Sequence, residues 1–175
     1  MSRHVFLVAA AIVLSAAAAD GQTAFLVSGG ATAPVAHLGE VTDIGYNAAV
    51  GMHLGATALP VGARLEVAYN DLGYKGGGGD VRIISGTANA IFNLSLARDA
   101  PYVIAGVGAY NRNSGSSARG YGSGQTVAGV NGGAGLRFPL SGLSTFVEVR
   151  YHVMLGSDTD GTNYQFIPIT FGISF

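Results

Sequence analysis

The 175-residue chain has no cysteine and no tryptophan, and only 11% of its residues are charged. Without cysteine, the fold cannot depend on disulfide bonds. A charged fraction less than half of the usual ~25% makes an ordinary water-facing surface difficult to build. Mean hydropathy is +0.38, yet after the first twenty residues the chain has no apolar run near the roughly 18 residues of a membrane-spanning helix. The composition therefore favours an apolar surface that is not built from helices.

The N-terminal region predicts a secretory signal peptide over residues 1–19. Arg3 lies in a short basic start, an apolar run follows, and Ala17 and Ala19 have the A-x-A spacing of a cleavage site. We expect cleavage after Ala19 and a single exported domain over residues 20–175, with a retained anchor helix as the alternative. The mature chain has eight basic and ten acidic side chains, which argues against a nucleic-acid partner.

Alternation of apolar with small or polar residues predicts β-strands through the rest of the chain. The final segment shows this best, with large apolar side chains at Ile167, Ile169, Phe171, Ile173 and Phe175. Eight strands are predicted, at about 24–35, 44–57, 62–74, 81–94, 102–112, 126–138, 145–154 and 164–175. No segment has a sustained helical period.

The connections between the predicted strands alternate between two kinds. The first, third, fifth and seventh are long and polar, whereas the second, fourth and sixth are short. This alternation is typical of an up-and-down meander closed into a membrane barrel, with loops outside and turns in the periplasm. We therefore predict an all-β fold, an eight-stranded antiparallel up-and-down transmembrane β-barrel.

Each predicted strand has one apolar face and one face of polar residues and glycines. A charge facing lipid near the midplane costs roughly 2 to 4 kcal/mol, so we expect the apolar face to meet lipid. Arg82 is the strand charge on the apolar face, and it is two residues from a loop. Aromatic residues on this face predict girdles at both membrane interfaces. They are Phe25, Phe92, Phe138 and Phe175 on the periplasmic side and Tyr46, Tyr69 and Tyr151 on the outer side.

Charged residues on the lumen face predict an ion-pair network. The third and seventh strands lie across the barrel and run in the same direction, so their charges meet at similar depth. The predicted network consists of Arg64, Glu66, Arg137, Glu148, Arg150 and His152. Because an eight-stranded barrel is filled by its own side chains, we expect these charges to close the lumen, with a gated ion or proton path as the alternative.

Two prolines fall on the strands that should close the barrel. Pro168 lies in the last strand and Pro34 near the outer end of the first. Because proline cannot donate to a strand ladder, we hypothesise a bulge or weak point on this seam. A lateral opening for a lipophilic ligand and a simple register device are both consistent with it.

These features resemble the small eight-stranded outer-membrane barrels of Gram-negative-type bacteria, such as the OmpA transmembrane domain and OmpX. The resemblance covers nearly all of the mature chain, and its most specific element is the terminal strand ending on Phe175. It implies a location in the bacterial outer membrane. It also implies that the alternating residues from Ile167 to Phe175 are a signal for the barrel-assembly machinery. Relative to that pattern, we expect no peptidoglycan-binding domain after the barrel, and the girdles contain no tryptophan.

The predicted function is non-enzymatic, a structural or surface-interaction role. Expected partners are outer-membrane lipid and lipopolysaccharide, the barrel-assembly machinery, and an extracellular ligand bound through the loops; no cofactor or metal is expected. The candidate contact element is the fifth connection, with Arg112, Arg119 and Tyr121.

Three alternatives stay open. One is a narrow channel or transporter for small or lipophilic molecules. Another is a lipid-modifying enzyme, although Glu148 and His152 are four residues apart on one strand face, about 13 Å, too far for a direct hydrogen bond. The third is a soluble barrel of lipocalin type, with the apolar face turned inward.

Overall fold

A computed structural model describes residues 21–56, 60–95, 100–116, 120–121, 124–140, 143–156 and 163–175. The predicted signal peptide over residues 1–19 lies outside the described residues. Eight long strands cover most of the described chain. They are β1 (Gly21–Val35), β2 (Gly45–Ala56), β3 (Val61–Gly73), β4 (Gly79–Asn93), β5 (Pro101–Ser116), β6 (Gln125–Leu140), β7 (Leu143–Met154) and β8 (Tyr164–Ser174).

Two short elements complete the description. A helix, α1 (Ala36–Val41), follows β1 directly, and a two-residue strand, Gly120–Tyr121, pairs with the end of β5. Among the described residues, no helix is both long enough and apolar enough to cross a membrane.

The strands form one closed antiparallel barrel. Each strand pairs with the strands before and after it in the chain. The barrel closes where β1 pairs with β8, from the pair of Leu26 with Ser174 to the pair of Val35 with Gln165. The predicted eight-stranded up-and-down barrel is therefore confirmed. We call the end with α1 and the longer connections the loop end, and the end with Gly21 and Phe175 the turn end.

The alternation of side chains follows the predicted phase. Val50, Val67 and Ile169 on the outer surface are 56%, 55% and 49% exposed, whereas Arg64 and Glu148 in the lumen are 2% and 1% exposed. The barrel thus has its apolar face outward and its charges inward. This arrangement is the reverse of a lipocalin-type barrel and excludes that alternative.

Helix α1 was not predicted from the sequence. Its first residue, Ala36, has φ +50°, a left-handed conformation that turns the chain from β1 over the barrel mouth. Leu38 then points into the lumen and is 1% exposed. Lys75, which follows β3, joins the helix to the barrel, with Nζ donating to the Gly39 carbonyl at 2.5 Å and its backbone N–H donating to the Val41 carbonyl at 3.0 Å. The Thr42 hydroxyl closes the helix end by donating to the Leu38 carbonyl at 2.8 Å. The polar first connection therefore includes a docked segment.

The hypothesis of a weak β1–β8 seam is wrong. Residue pairing along this seam is continuous, including Thr32 opposite Pro168 and Pro34 opposite Phe166. The backbones of Phe25 and Phe175 exchange both hydrogen bonds, at 2.8 and 2.9 Å. Because hydrogen-bonded and non-hydrogen-bonded pairs alternate in an antiparallel ladder, both prolines occupy non-hydrogen-bonded positions on this seam.

The interruption lies instead between β7 and β8. Pairing there runs from Ser144–Ser174 to Val149–Ile169 and resumes at His152–Phe166, so Arg150 and Tyr151 are left out. Pro168, whose nitrogen faces β7, stands opposite Arg150 in this register. Its missing N–H accounts for the gap.

Candidate functional site

The lumen contains a compact group of four charged side chains, Arg64, Glu66, Glu148 and Arg150, which we call the ionic cluster. Arg64 Nη1 lies 3.1 and 2.9 Å from the two Glu148 carboxylate oxygens, and Arg150 Nε lies 2.8 Å from Glu148 Oε1. Arg150 Nη2 also donates to Glu66 Oε1, and Arg64 Nη1 is 3.8 Å from Glu66 Oε2. The two acids and two bases balance, so the cluster is neutral as a whole.

Strand geometry brings these four residues together. Arg64 and Glu66 are alternate inward residues of β3, and Glu148 and Arg150 are alternate inward residues of β7. The Tyr102 hydroxyl, from β5, donates to Glu148 Oε2 at 2.6 Å. Both Glu148 oxygens therefore have buried donors, the condition under which a buried ion pair is stable.

Two members of the predicted network lie outside these ion pairs. Arg137 Nη1 donates to Asn93 Oδ1 at 2.7 Å, and its guanidinium lies 4.7 Å from the centre of the Tyr102 ring. His152 shares a hydrogen bond of 2.9 Å with Tyr110 through Nδ1, and its ring stacks on Phe166 at 4.8 Å. The sequence analysis correctly placed Arg137 and His152 on the lumen face, but it did not identify Asn93 and Tyr110 as their hydrogen-bond partners.

Inward-facing glycines accommodate the large lumen side chains. A Cβ at Gly129 would lie 2.6 Å from the Tyr110 ring, and one at Gly133 would lie 2.8 Å from Arg150 Cγ. A Cβ at Gly135 would overlap the Tyr102 ring. Each of these side chains lies over a glycine of the neighbouring strand β6, where a Cβ would displace it.

The lumen at the loop end is apolar, which the sequence analysis did not predict. Leu38 of α1 packs there with inward residues of β3, β4, β5, β7 and β8. This loop-end plug consists of Leu38, Leu72, Val81, Ile83, Tyr110, Met154, Tyr164 and Phe166. A smaller apolar group, Ile91, Tyr102 and Ile104, lies towards the turn end. The signal was present as apolar residues in the inward phase near strand ends, such as Val81 and Ile83.

The predicted girdle residues all project from the outer surface. Phe25, Phe92 and Phe175 are 56%, 46% and 68% exposed. Among the tyrosines, the Tyr69 hydroxyl donates to Asp71 Oδ2 at 2.7 Å near the loop end. Phe138, Tyr46 and Tyr151 also lie on outward positions of their strands.

Arg82 also lies on the outer surface near the loop end. Its Nε is 3.3 Å from Asp71 Oδ2, and its Nη2 is 3.2 Å from Asp80 Oδ2. This outward charge is therefore paired.

The predicted contact element is only partly described. Arg112 belongs to β5, which extends beyond the predicted end to Ser116, and its guanidinium lies 4.5 Å from the centre of the Tyr164 ring. Arg119 and the side chain of Tyr121 lie outside the described residues. Within the described part of the chain, no group of three or more His, Cys, Asp or Glu side chains is placed to hold a metal ion.

Comparison with known proteins identifies the fold. No protein-family model matches the chain, and no curated protein matches it. Neisserial surface protein A (NspA) matches with a TM-score of 0.67 and 15% identity, over 88% of this chain and 97% of that chain. The N-terminal β-barrel domain of Pseudomonas aeruginosa OprF matches with a TM-score of 0.52 and 18% identity, over 89% and 100%.

A third solved structure is Ail, the attachment invasion locus protein of Yersinia pestis, in complex with the heparin analogue sucrose octasulfate. It matches with a TM-score of 0.50 and 15% identity, over 89% of this chain and 99% of that chain. The chain thus has the fold of the small eight-stranded outer-membrane β-barrels.

Proposed function

We propose that this protein spans the bacterial outer membrane as a non-enzymatic barrel with a structural or surface-interaction role. The observation that supports this best is the outer surface of the barrel. Apolar side chains of every strand are exposed there, while the four charges of the ionic cluster are at most 4% exposed. Lipid is the solvent for which such a surface is suited. The similar solved structures include surface proteins, which agrees with this role.

A non-enzymatic role is supported by the surroundings of the two lumen residues that the enzyme alternative requires. Glu148 is held by Arg64, Arg150 and Tyr102. His152 is 2% exposed and is enclosed between Tyr110 and Phe166. Neither residue is placed to reach a lipid substrate.

The proposed partners follow from the two ends and the outer surface. Outer-membrane lipid and lipopolysaccharide would contact the exposed apolar face and its aromatic girdles. The barrel-assembly machinery would bind the β8 residues from Ile167 to Phe175, of which Ile169, Phe171 and Phe175 are exposed. An extracellular ligand would bind at the loop end.

A matched pair of lysine substitutions tests the membrane assignment. Val50→Lys places a charge in the middle of the outer surface, and Ile44→Lys places one beside the loop end, where the native side chain is 72% exposed. In lipid, the first should cost about 2 to 4 kcal/mol and the second about 0 to 1. We expect Val50→Lys to reduce the amount of folded, membrane-fraction protein strongly and Ile44→Lys to leave it near the wild-type amount.

Folding is measured by gel mobility in SDS with and without heating, because a folded barrel migrates differently from its boiled form. Fractionation of the expressing cells into membrane and soluble pools gives the location. Equal behaviour of the two lysine variants, with wild-type protein in the soluble pool, would contradict the membrane assignment. Phe175→Ser in the same assay tests the assembly signal, since its loss should lower membrane insertion in cells while folding in detergent is retained.

A further inference from the structure

At the turn end, the mouth of the lumen contains an arginine that forms no ion pair within the described part of the chain. Arg137 lies near the end of β6, where its backbone N–H donates to the Ala100 carbonyl at 3.2 Å. Its guanidinium contacts two neutral groups, with Nη1 2.7 Å from Asn93 Oδ1 and the central carbon 4.7 Å from the centre of the Tyr102 ring. Because the ionic cluster is neutral as a whole, Arg137 gives this end of the lumen a surplus positive charge.

A second guanidinium lies against the same tyrosine. The central carbons of Arg64 and Arg137 are 5.8 and 4.7 Å from the centre of the Tyr102 ring. Glu148 compensates the charge of Arg64 at 2.9 Å, yet Arg64 Nε is buried without a hydrogen-bond partner among the described residues. A guanidinium has five N–H donors, and Arg137 uses one of them in its hydrogen bond to a described side chain. Both arginines therefore have unused donors beside this ring.

His53 adds a third group with hydrogen-bonding capacity to spare. It is an inward residue of β2 and stands directly opposite Arg64 of β3. Its ring lies over two glycines, since a Cβ at Gly62 would be 2.9 Å from its Cε1 and one at Gly55 would be 3.0 Å from its Nε2. Its Nδ1 is buried without a partner among the described residues. Arg137 and Arg64 are the charged groups close enough to act on His53, so the three side chains share one region of the lumen.

This region requires an acceptor with a negative charge. Arginine nitrogens only donate hydrogen bonds, and a histidine ring donates from at least one nitrogen. The planar fork of arginine matches a carboxylate with two parallel hydrogen bonds. One carboxylate balances one surplus positive charge, whereas a phosphate group carries up to about two negative charges and would exceed it. We propose that the turn-end mouth of the lumen is a binding site for one carboxylate group, with Arg137 as its main anchor and His53 as a second donor.

The site is open on one side and closed on the other. Arg137, Asn93 and His53 are half-buried, so solutes reach them from the turn end. Deeper in the lumen, Tyr102 is 0% exposed and the members of the ionic cluster are at most 4% exposed. A carboxylate that enters here is therefore held at the mouth and does not pass through the barrel.

The source of the carboxylate follows from the orientation of the barrel. In an outer-membrane barrel the short turns face the periplasm. The carboxylate would then belong to a small periplasmic acid or to an acidic side chain of a periplasmic polypeptide. This assignment of the source rests on the proposed function, whereas the site itself depends only on the folded barrel.

NMR of the detergent-folded, ¹⁵N-labelled protein tests the site through the Nε–Hε signals of its arginines. Sodium acetate is the probe, titrated against sodium chloride at constant ionic strength. We expect acetate to shift the Arg137 signal saturably, with half-saturation on the order of millimolar, because a part-exposed ion pair is weak. The Arg82 signal should not move, since Arg82 already pairs with Asp71 and Asp80. A blocked peptide with one aspartate that binds more tightly than acetate would identify a polypeptide source, and equal affinity would identify a small acid.

Three variants separate binding from a structural role of Arg137. Arg137→Gln removes the charge and should abolish the acetate-dependent shift of the His53 ring signals. Arg137→Lys keeps the charge but not the planar fork, so it should weaken acetate binding several-fold. Arg82→Gln is the matched control, because it removes a guanidinium from the outer surface and should leave acetate binding unchanged. The heat-dependent gel assay checks folding, and if Arg137→Gln does not fold, the affinity of Arg137→Lys decides.

Three results would overturn the carboxylate site. They are equal shifts of the Arg137 signal with acetate and chloride, a shift that does not saturate, and an unchanged His53 response in folded Arg137→Gln. The membrane assignment is decided separately by the lysine pair at Val50 and Ile44. Saturable acetate binding by a protein that fails the lysine test would keep the site and remove its assignment to the periplasm.

Discussion

Glu148 shows at the scale of single residues how the lumen is held together. Its carboxylate accepts hydrogen bonds from Arg64, Arg150 and Tyr102 while being 1% exposed. Removing one partner of a buried ion pair leaves the other charges without compensation, which is generally more costly than the pair itself is stabilising. The stability of the barrel should therefore be sensitive to this one side chain.

Glu148→Ala should lower the free energy of unfolding by about 3 to 5 kcal/mol, because two buried guanidinium groups lose their main acceptor. Urea unfolding of the vesicle-inserted protein measures the change. Arg82→Gln is the control, because its ion pairs with Asp71 and Asp80 are partly exposed and should contribute less than about 1 kcal/mol. Equal losses for the two variants would show that the ionic cluster does not stabilise the barrel.

The sequence specified the face of each charged residue but not its partner. Period-two alternation places Arg64, Glu66, Glu148 and Arg150 inward, and their spacing along β3 and β7 gives a similar depth. The neighbours of Arg137 depend on how β6 is staggered against β4 and β5, which no local pattern encodes. For this reason its hydrogen bond to Asn93 and its contact with Tyr102 were not predictable.

At the scale of elements, the strands were predictable and α1 was not. Each strand repeats its pattern over 11 to 16 residues, long enough for a period of two to be recognised. Helix α1 spans 6 residues, less than two turns, and Leu38 is its buried residue. It is helical because Leu38 finds a complementary site on five strands distant in sequence, which is tertiary information.

Pro168 gives a prediction about the β7–β8 pair. Pro168→Val restores an N–H opposite Arg150, and the new hydrogen bond should stabilise the pair by about 1 kcal/mol. Amide hydrogen exchange should slow at Tyr151 and Ile167, while the amides of the β1–β8 seam stay unchanged. Pro34→Val is the control, since Pro34 lies beyond the last β1–β2 pair, Thr32–Gly45. Slower exchange along the β1–β8 seam instead would restore the original hypothesis about that seam.

At the scale of the whole molecule, the barrel combines an apolar exterior with a lumen in three layers. Strand β4 shows the layers in order, with Val81 and Ile83 in the loop-end plug, the buried polar residues Ser85, Thr87 and Asn89 in the middle, and Ile91 near the turn end. The exterior and the strand order follow from alternation and connection length, so they were predictable. The layers were predictable only in part: inward apolar residues near strand ends, such as Val81 and Ile83, indicate an apolar loop end, but no local pattern encodes which inward residues of all eight strands meet at one height.

The layered lumen predicts that the intact protein does not conduct ions. In planar lipid bilayers, the wild-type protein should give no steady single-channel current, because a permeant ion would have to pass both the ionic cluster and the loop-end plug. Leu38→Ala should not change this result, since the ion pairs Arg64–Glu148 and Arg150–Glu66 still cross the lumen. Glu66→Gln combined with Leu38→Ala weakens both barriers and should produce brief openings. A steady current from the wild-type protein would contradict the closed lumen and favour a narrow channel as its function.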